Sequence, residues 1–256
     1  MRDGKLRERL GRGETVVGSI VSTASPDVAE AMALVGFDFL WIEAEHAPLG
    51  FTEVQTVIQA VGGRAPCLVR IPENAEVWFK KALDTGCDGL VVPQIRTADD
   101  ARRAVRCAYY PPLGERSVGI TRAQGYGATF SEYVESINDR LLLVLQVEHK
   151  TAVEHVEEIV RVPGIGAILI GPFDLSGSLG LLGRTTHPEV ESRIETVRVA
   201  CQTADVPLGI FAVDAPTAHR YIDRGFRLIA LASDLTFLQR GAGEALRLVR
   251  GEKEGT

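Results

Sequence analysis

The sequence predicts a (β/α)8 barrel, and three observations predict it. Short β-rich runs alternate with helical segments eight times along 256 residues. The strand-like runs are almost continuously apolar, as parallel strands buried on both faces are. VSTASPD follows the first run, where an open doubly wound sheet would carry a GxGxxG phosphate fingerprint. Eight such units in about 250 residues is the size of a barrel. The expected organisation is one barrel domain over residues 1–256.

VVGSIVS (16–22) reads as the first strand, and PDVAEAMALVG as a helix opened by Pro26 and stopped by Gly36. FLWIEAE (39–45) precedes the helix TEVQTVIQAVGG. PCLVRI (66–71) precedes AEVWFKKALDTG, which closes on Gly86, and GLVVPQI (89–95) precedes TADDARRAVRCAYY. The next connection is long, YYPPLGERSVGITRAQGYGATFSEYVESINDR, with a short helix expected over FSEYVESIND; loops of this length are usually functional or form an interface. LLLVLQVE (141–148) precedes one helix, TAVEHVEEIVRV. AILIG (167–171) leads through a GPFDLSG turn and a loop to a helix starting near His187–Pro188–Glu189. PLGIFAV (207–213) precedes DAPTAHRYIDRG, and FRLIALAS (226–233) precedes a last helix from about Leu235 to Val249.

The net charge of −6 argues against a general affinity for nucleic acid, which needs a basic stripe. Cys67, Cys87, Cys107 and Cys201 form no CxxC pair, so neither a zinc site nor a disulfide framework is indicated. The N-terminal MRDGKLRERLGRGE is polar rather than signal-like, and no apolar run approaches the ~20 residues that span a bilayer. The expectation is a cytoplasmic protein.

Barrel enzymes react at the C-terminal ends of their strands. Those ends offer Ser22; Glu43, Glu45 and His46; Arg70; Gln94; Gln146 and Glu148; Asp174; Asp214; and Ser233 and Asp234. In LLLVLQVE, strand alternation puts Gln146 and Glu148 on one face and Leu141, Leu143, Leu145 and Val147 on the other. Glu148 and Asp174 follow adjacent strands. Two carboxylates that close share a proton or hold a cation. With no cysteine or clustered histidine beside them, they select a hard ion such as magnesium or manganese. The alternative is that both acids cap helices and face solvent. Gly171 and Pro172 bend the chain so that N–H groups at Phe173 and Asp174 can meet an anion, unless this is an ordinary turn. Arg70 is a salt-bridge partner or a stabiliser of negative charge on a carbonyl oxygen. His46 suits proton transfer, with Glu43, Glu45 or Asp84 to orient it. No lysine (Lys5, Lys80, Lys81, Lys150, Lys253) falls inside a strand, which argues against Schiff-base chemistry and for a metal electrophile.

IEAEHAPL, PCLVRIP, YPPLGERSVG, LQVE, GPFDLS and HPEV occur in that order. Together they resemble the metal-dependent (class II) pyruvate aldolases of the HpcH/HpaI type, from about Val16 to Ala245. The resemblance implies reversible retro-aldol cleavage of a 4-hydroxy-2-oxo acid or 2-keto-3-deoxy sugar acid to pyruvate and an aldehyde. It implies Glu148 and Asp174 as ligands of Mg2+, Mn2+ or Co2+, with Gln146 beside them. It places the substrate carboxylate on the amides after Pro172, around Phe173 and Asp174. Arg70 would contact the keto oxygen, and His46 would be the acid/base, helped by Asp84 from the same chain or across a subunit boundary. A homohexamer, a trimer of dimers that exchange the C-terminal helix, is also implied. One departure stands out: the family usually carries Asp-Gly-Glu-His after the second strand, and this chain carries Glu43-Ala44-Glu45-His46. Three rivals remain open: an acyl-CoA-type lyase, an oxaloacetate decarboxylase and a non-catalytic oxyacid-binding barrel.

Overall fold

The computed structural model describes residues 6–252. The chain runs α1 (Leu6–Gly11), β1 (Val16–Val21), α2 (Pro26–Val35), β2 (Phe39–Glu43), α3 (Phe51–Val61), β3 (Cys67–Arg70), α4 (Glu76–Asp84), β4 (Gly89–Val92) and α5 (Ala98–Ala108). After a 3₁₀ turn (Arg122–Gly127) come α6 (Phe130–Arg140), β5 (Leu142–Val147), α7 (Lys150–Glu154), α8 (Val156–Ile159), β6 (Ala167–Ile170) and α9 (Pro172–Ser178). The rest is α10 (Pro188–Thr203), β7 (Leu208–Ala212), α11 (Ala215–Asp223), β8 (Leu228–Ser233) and α12 (Asp234–Arg250). The strands close into a barrel in sequence order, β1 pairing with both β2 and β8, every pair parallel.

Two apolar layers hold it. Leu40, Ile42, Val69, Leu143, Leu145 and Ile168 face the helices. Phe39, Trp41, Leu68, Val91, Leu142, Val144 and Leu169 fill the barrel interior, as period-two alternation requires. Small residues make room for the large ones. A Cβ on Gly18 would stand 2.6 Å from the Phe39 ring, and one on Gly89 would stand 2.6 Å from a Leu68 methyl. Leu6 and Leu10 of α1 join the interior cluster and close the barrel's N-terminal end.

The structure differs from the sequence expectation in three places. The N-terminal polar segment contains α1, whose two buried leucines are too few to show a helical period. The helix expected after β5 is two, α7 and α8, broken at His155. There the backbone turns to φ −109°, ψ 10°, and the ring Nδ1 lies 2.9 Å from the Thr151 carbonyl, competing with the helix for it. The GPFDLSG turn is the helix α9, opened by Pro172 in its first turn.

Helix α12 packs on its own barrel only near its start, where the Phe237 ring centroid lies 6.0 Å from that of Phe37. Asp234, buried at its start, accepts hydrogen bonds from the backbone N–H groups of Ser22 and Thr23 (3.0 and 3.1 Å) and from both hydroxyls (2.7 and 2.9 Å). Beyond that anchor Leu235, Leu238, Leu246, Leu248 and Val249 are exposed, as are Leu34 and Val35 of α2. No helix among the described residues is long and apolar enough to cross a membrane.

Candidate active site

The C-terminal mouth of the barrel gathers Glu43, Glu45, His46, Arg70, Gln94, Gln146, Glu148 and Asp174. Glu43 and Arg70 are register partners on β2 and β3 and point inward together. Glu43 is buried, and its carboxylate is fully engaged. Oε1 accepts from the backbone N–H groups of Glu45 (2.8 Å) and His46 (2.9 Å). Oε2 accepts from the Trp41 indole N–H (3.1 Å) and from Arg70 Nε (2.7 Å), with Arg70 Nη2 at 2.6 Å. The Glu43 side chain thus spans from the barrel interior to the turn after β2. Ala44 points the other way, into the helix-facing core.

Arg70 Nη1 donates to Gln146 Oε1 (3.4 Å), and Gln146 Nε2 donates to Glu148 Oε2 (2.5 Å). Glu148 Oε1 accepts from the Gln94 backbone N–H (2.8 Å). Gln94 reaches that position with φ 57°, a strained conformation for a residue with a Cβ. A Cβ on Gly171 would stand 2.9 Å from Glu148 Oε2, so glycine is needed where β6 ends beside the carboxylate.

Burial pushes the Glu148 carboxyl up to about 7, the charges of Glu45 and Asp174 add to it, and the Gln94 N–H and Arg70 oppose it. Glu45 is also pushed up to about 7, by burial first, with Arg70 opposing and Glu43 and Asp174 adding. Glu45 Oε2 is buried without a hydrogen bond. It lies 3.2 Å from Arg70 Nε, but that N–H is directed at Glu43. It also lies 3.7 Å from His46 Nε2, on a ring that is largely exposed. Burial therefore raises the proton affinity of Glu45 and Glu148 around one opening, and the Asp174 charge adds to both, with Arg70 opposing.

Such a donor set fits a divalent cation. Its oxygens are hard ligands, two of its acids are charged only at a cost, and one buried oxygen, Glu45 Oε2, makes no hydrogen bond. Among the described residues no three His, Cys, Asp or Glu side chains form a ready-made metal cluster. A two-carboxylate site would leave other coordination positions to substrate and water.

The HpcH/HpaI aldolase/citrate lyase family model matches residues 17–240. The chain belongs to this family. It is 37% identical over 254 residues to the hydroxypyruvate/pyruvate aldolase of Paraburkholderia phytofirmans, covering 96% of this chain and 97% of that one. It is 35% identical over 247 residues to the 2-dehydro-3,6-dideoxy-6-sulfogluconate aldolase of Pseudomonas putida, covering 95% and 96%. The crystal structure of an HpcH/HpaI aldolase/citrate lyase family protein from Burkholderia cenocepacia superposes with a TM-score of 0.93 at 37% identity, covering 96% and 98%. Full-length likeness to aldolases of the HpcH/HpaI family indicates a carbon–carbon lyase and supports retro-aldol cleavage.

Within this family member the residues expected from sequence divide into those the chain assembles and those it does not. Arg70, Gln146 and Glu148 form one hydrogen-bonded chain, with His46 and Asp174 at its edge. Phe173 is exposed, its ring centroid 6.4 Å from that of Phe211, and Pro172 is buried at the start of α9. Asp84 lies elsewhere. It ends α4, at the N-terminal end of the barrel, and pairs with the buried Arg116 (3.2 Å). One chain does not bring Asp84 to His46. Asp214, Ser233, Ser22 and Asp234 serve helix starts rather than the mouth: Asp214 accepts from Thr217 N–H and Ser233 from Thr236 N–H. Lys80, Lys81 and Lys150 lie on α4 and α7, while Lys5 and Lys253 fall outside the described residues. Sequence reasoning passed over Trp41, although its spacing of two from Glu43 put it on the same inward face.

Proposed function

We propose that the mouth catalyses divalent-metal-dependent, reversible cleavage of a 4-hydroxy-2-oxo acid to pyruvate and an aldehyde. The observation that carries this reading is the convergence of the Glu45, Glu148 and Asp174 carboxyls at one opening, beside an arginine fixed by Glu43 and Gln146. Glu148 and Asp174 would hold Mg2+, Mn2+ or Co2+, which when bound supplies a Lewis acid to the 2-oxo acid. The backbone N–H groups of Phe173 and Asp174, in the first turn of α9 and so without intrahelical partners, would receive the substrate carboxylate. Arg70 faces the C2 oxygen. Its guanidinium carries five N–H donors, which Glu43 and Gln146 do not exhaust, so donors remain for the charge that develops there. His46, directly or through a water, accepts the proton of the 4-hydroxyl. The C3–C4 electron pair becomes the enolate double bond, the aldehyde leaves, and C3 is protonated to give pyruvate. The test is synthesis: pyruvate with a panel of aldehydes should yield new 4-hydroxy-2-oxo acids. Pyruvate binding without product across the panel would favour a non-catalytic barrel, and release of CO2 from oxaloacetate alone would favour a decarboxylase.

The raised carboxyls give this reading a pH signature. A cation held by Glu148 must displace that carboxyl's proton, so its affinity should be constant above about pH 7 and fall about tenfold per unit below it. Without metal, the folded state binds the Glu45 and Glu148 protons more tightly than the unfolded chain. Stability should therefore rise as the pH falls through 7, and added Mn2+ should stabilise far more at pH 8 than at pH 5.5. Calorimetric titration and thermal unfolding at both pH values read this; equal Mn2+ affinity at pH 8 and 5.5 contradicts it.

The bare face of α12 supports exchange of that helix between subunits of a hexamer, a trimer of dimers, in which Asp84 could meet a neighbour's His46. Leu238→Asp with Leu246→Asp should reduce the assembly to smaller species in light scattering. A wild-type monomer would refute this part.

A further inference from the structure

We infer that Trp41 and Glu43 are positioning residues that lock the Arg70 guanidinium for the reaction; the inference rests on Arg70 acting as proposed above. Trp41 is 2% exposed and Glu43 is 3% exposed. They follow one another on the inner face of β2, directly beside Arg70 at the end of β3. Arg70 is held from two directions. Its Cζ lies 5.0 Å from the Trp41 ring centroid, a cation–π distance. Its Nε and Nη2 lie 2.7 and 2.6 Å from Glu43 Oε2. The Trp41 indole N–H donates to that same Glu43 oxygen at 3.1 Å. Three groups thus fix one another: the ring supports the guanidinium, the carboxylate aims it, and the indole N–H aims the carboxylate.

The clamp also decides between two anions. Glu45 Oε2 stands 3.2 Å from Arg70 Nε without a hydrogen bond, so it is the partner Arg70 would take if Glu43 let go. A guanidinium turned toward Glu45 would be neutralised by a group at the mouth and drawn away from the substrate oxygen. Trp41 and Glu43 would keep it on the inward side, with its remaining donors directed outward. Phenylalanine at 41 keeps a ring under Arg70 but removes the indole donor. Glutamine at 43 keeps the shape but removes the charge.

The experiment is a double-mutant cycle on kcat for pyruvate release, with folding checked by thermal unfolding. Trp41→Phe should lower kcat about tenfold with little change in KM, and Glu43→Gln about a hundredfold. In an Arg70→Lys background, where the fork is already gone, Trp41→Phe should cost less than twofold. In a Trp78→Phe background, Trp41 emission should change when pyruvate binds with Mn2+. A tenfold loss from Trp41→Phe in both backgrounds, or none in the wild type, overturns the inference. A wild-type protein that releases no pyruvate overturns instead the reading on which it rests.

Discussion

Glu148→Gln should abolish the reaction while leaving the fold intact. The substitution keeps the side chain's shape and removes one of the two carboxylates proposed to hold the cation. Mn2+ affinity should fall at least about a hundredfold and kcat at least about a thousandfold. Stability should move the other way. Burial pushes the wild-type carboxyl up to about 7, so at pH 8 the metal-free protein carries a charge that costs it stability. Glutamine removes that cost, and the metal-free variant should melt at or above the wild-type temperature at pH 8, with the advantage gone at pH 5.5. Calorimetry with Mn2+, pyruvate release and thermal unfolding check the three parts. An inactive variant that also melts well below the wild type at pH 8 would mean that Glu148 supports structure.

Arg70 should show the opposite balance. Arg70→Ala leaves Glu43 buried with its ion-pair partner gone, at about 3–5 kcal/mol, a melting loss on the order of 10 °C. Arg70→Lys keeps the charge but not the planar fork that reaches Glu43 and Gln146 together. It should retain most of the stability and lose roughly 10²–10³ in kcat, the scale of a lost donor to a developing oxyanion. Steady-state kinetics beside thermal unfolding separates the two variants. Wild-type kcat in Arg70→Lys would remove Arg70 from the reaction and reduce it to a salt bridge.

The barrel was legible because its strands are almost uniformly apolar and its helices begin and end on recognisable capping residues. Pro26 and Gly36 bound α2, and Thr97 with Asp100 closes a capping box on α5. Alternation in β5 was enough to put Gln146 and Glu148 on the inner face. Less legible were features that depend on three-dimensional partners. Asp84 lies on the opposite end of the barrel from His46, because α4 runs back antiparallel to the strand before it. Asp234 looks like a strand-end acid, but four donors from Ser22 and Thr23 occupy it. Glu43 looks like a substitution beside the proposed base, and its length makes sense only once Trp41, Arg70 and two backbone amides are seen converging on it. Glu45 was legible as a strand-end acid that could orient His46, but not as a buried one. Its raised proton affinity comes from burial near Asp174 on a distant strand end.

The central claim is that oxygen ligands at this mouth hold a divalent ion without which the carbon–carbon bond is not broken. Pyruvate release from a 4-hydroxy-2-oxo acid, measured on protein stripped with EDTA and then supplied with Mn2+, tests it most directly. The stripped protein should release no pyruvate, and Mn2+ should restore release in the wild type but not in Glu148→Gln. Undiminished release in excess EDTA would contradict the account.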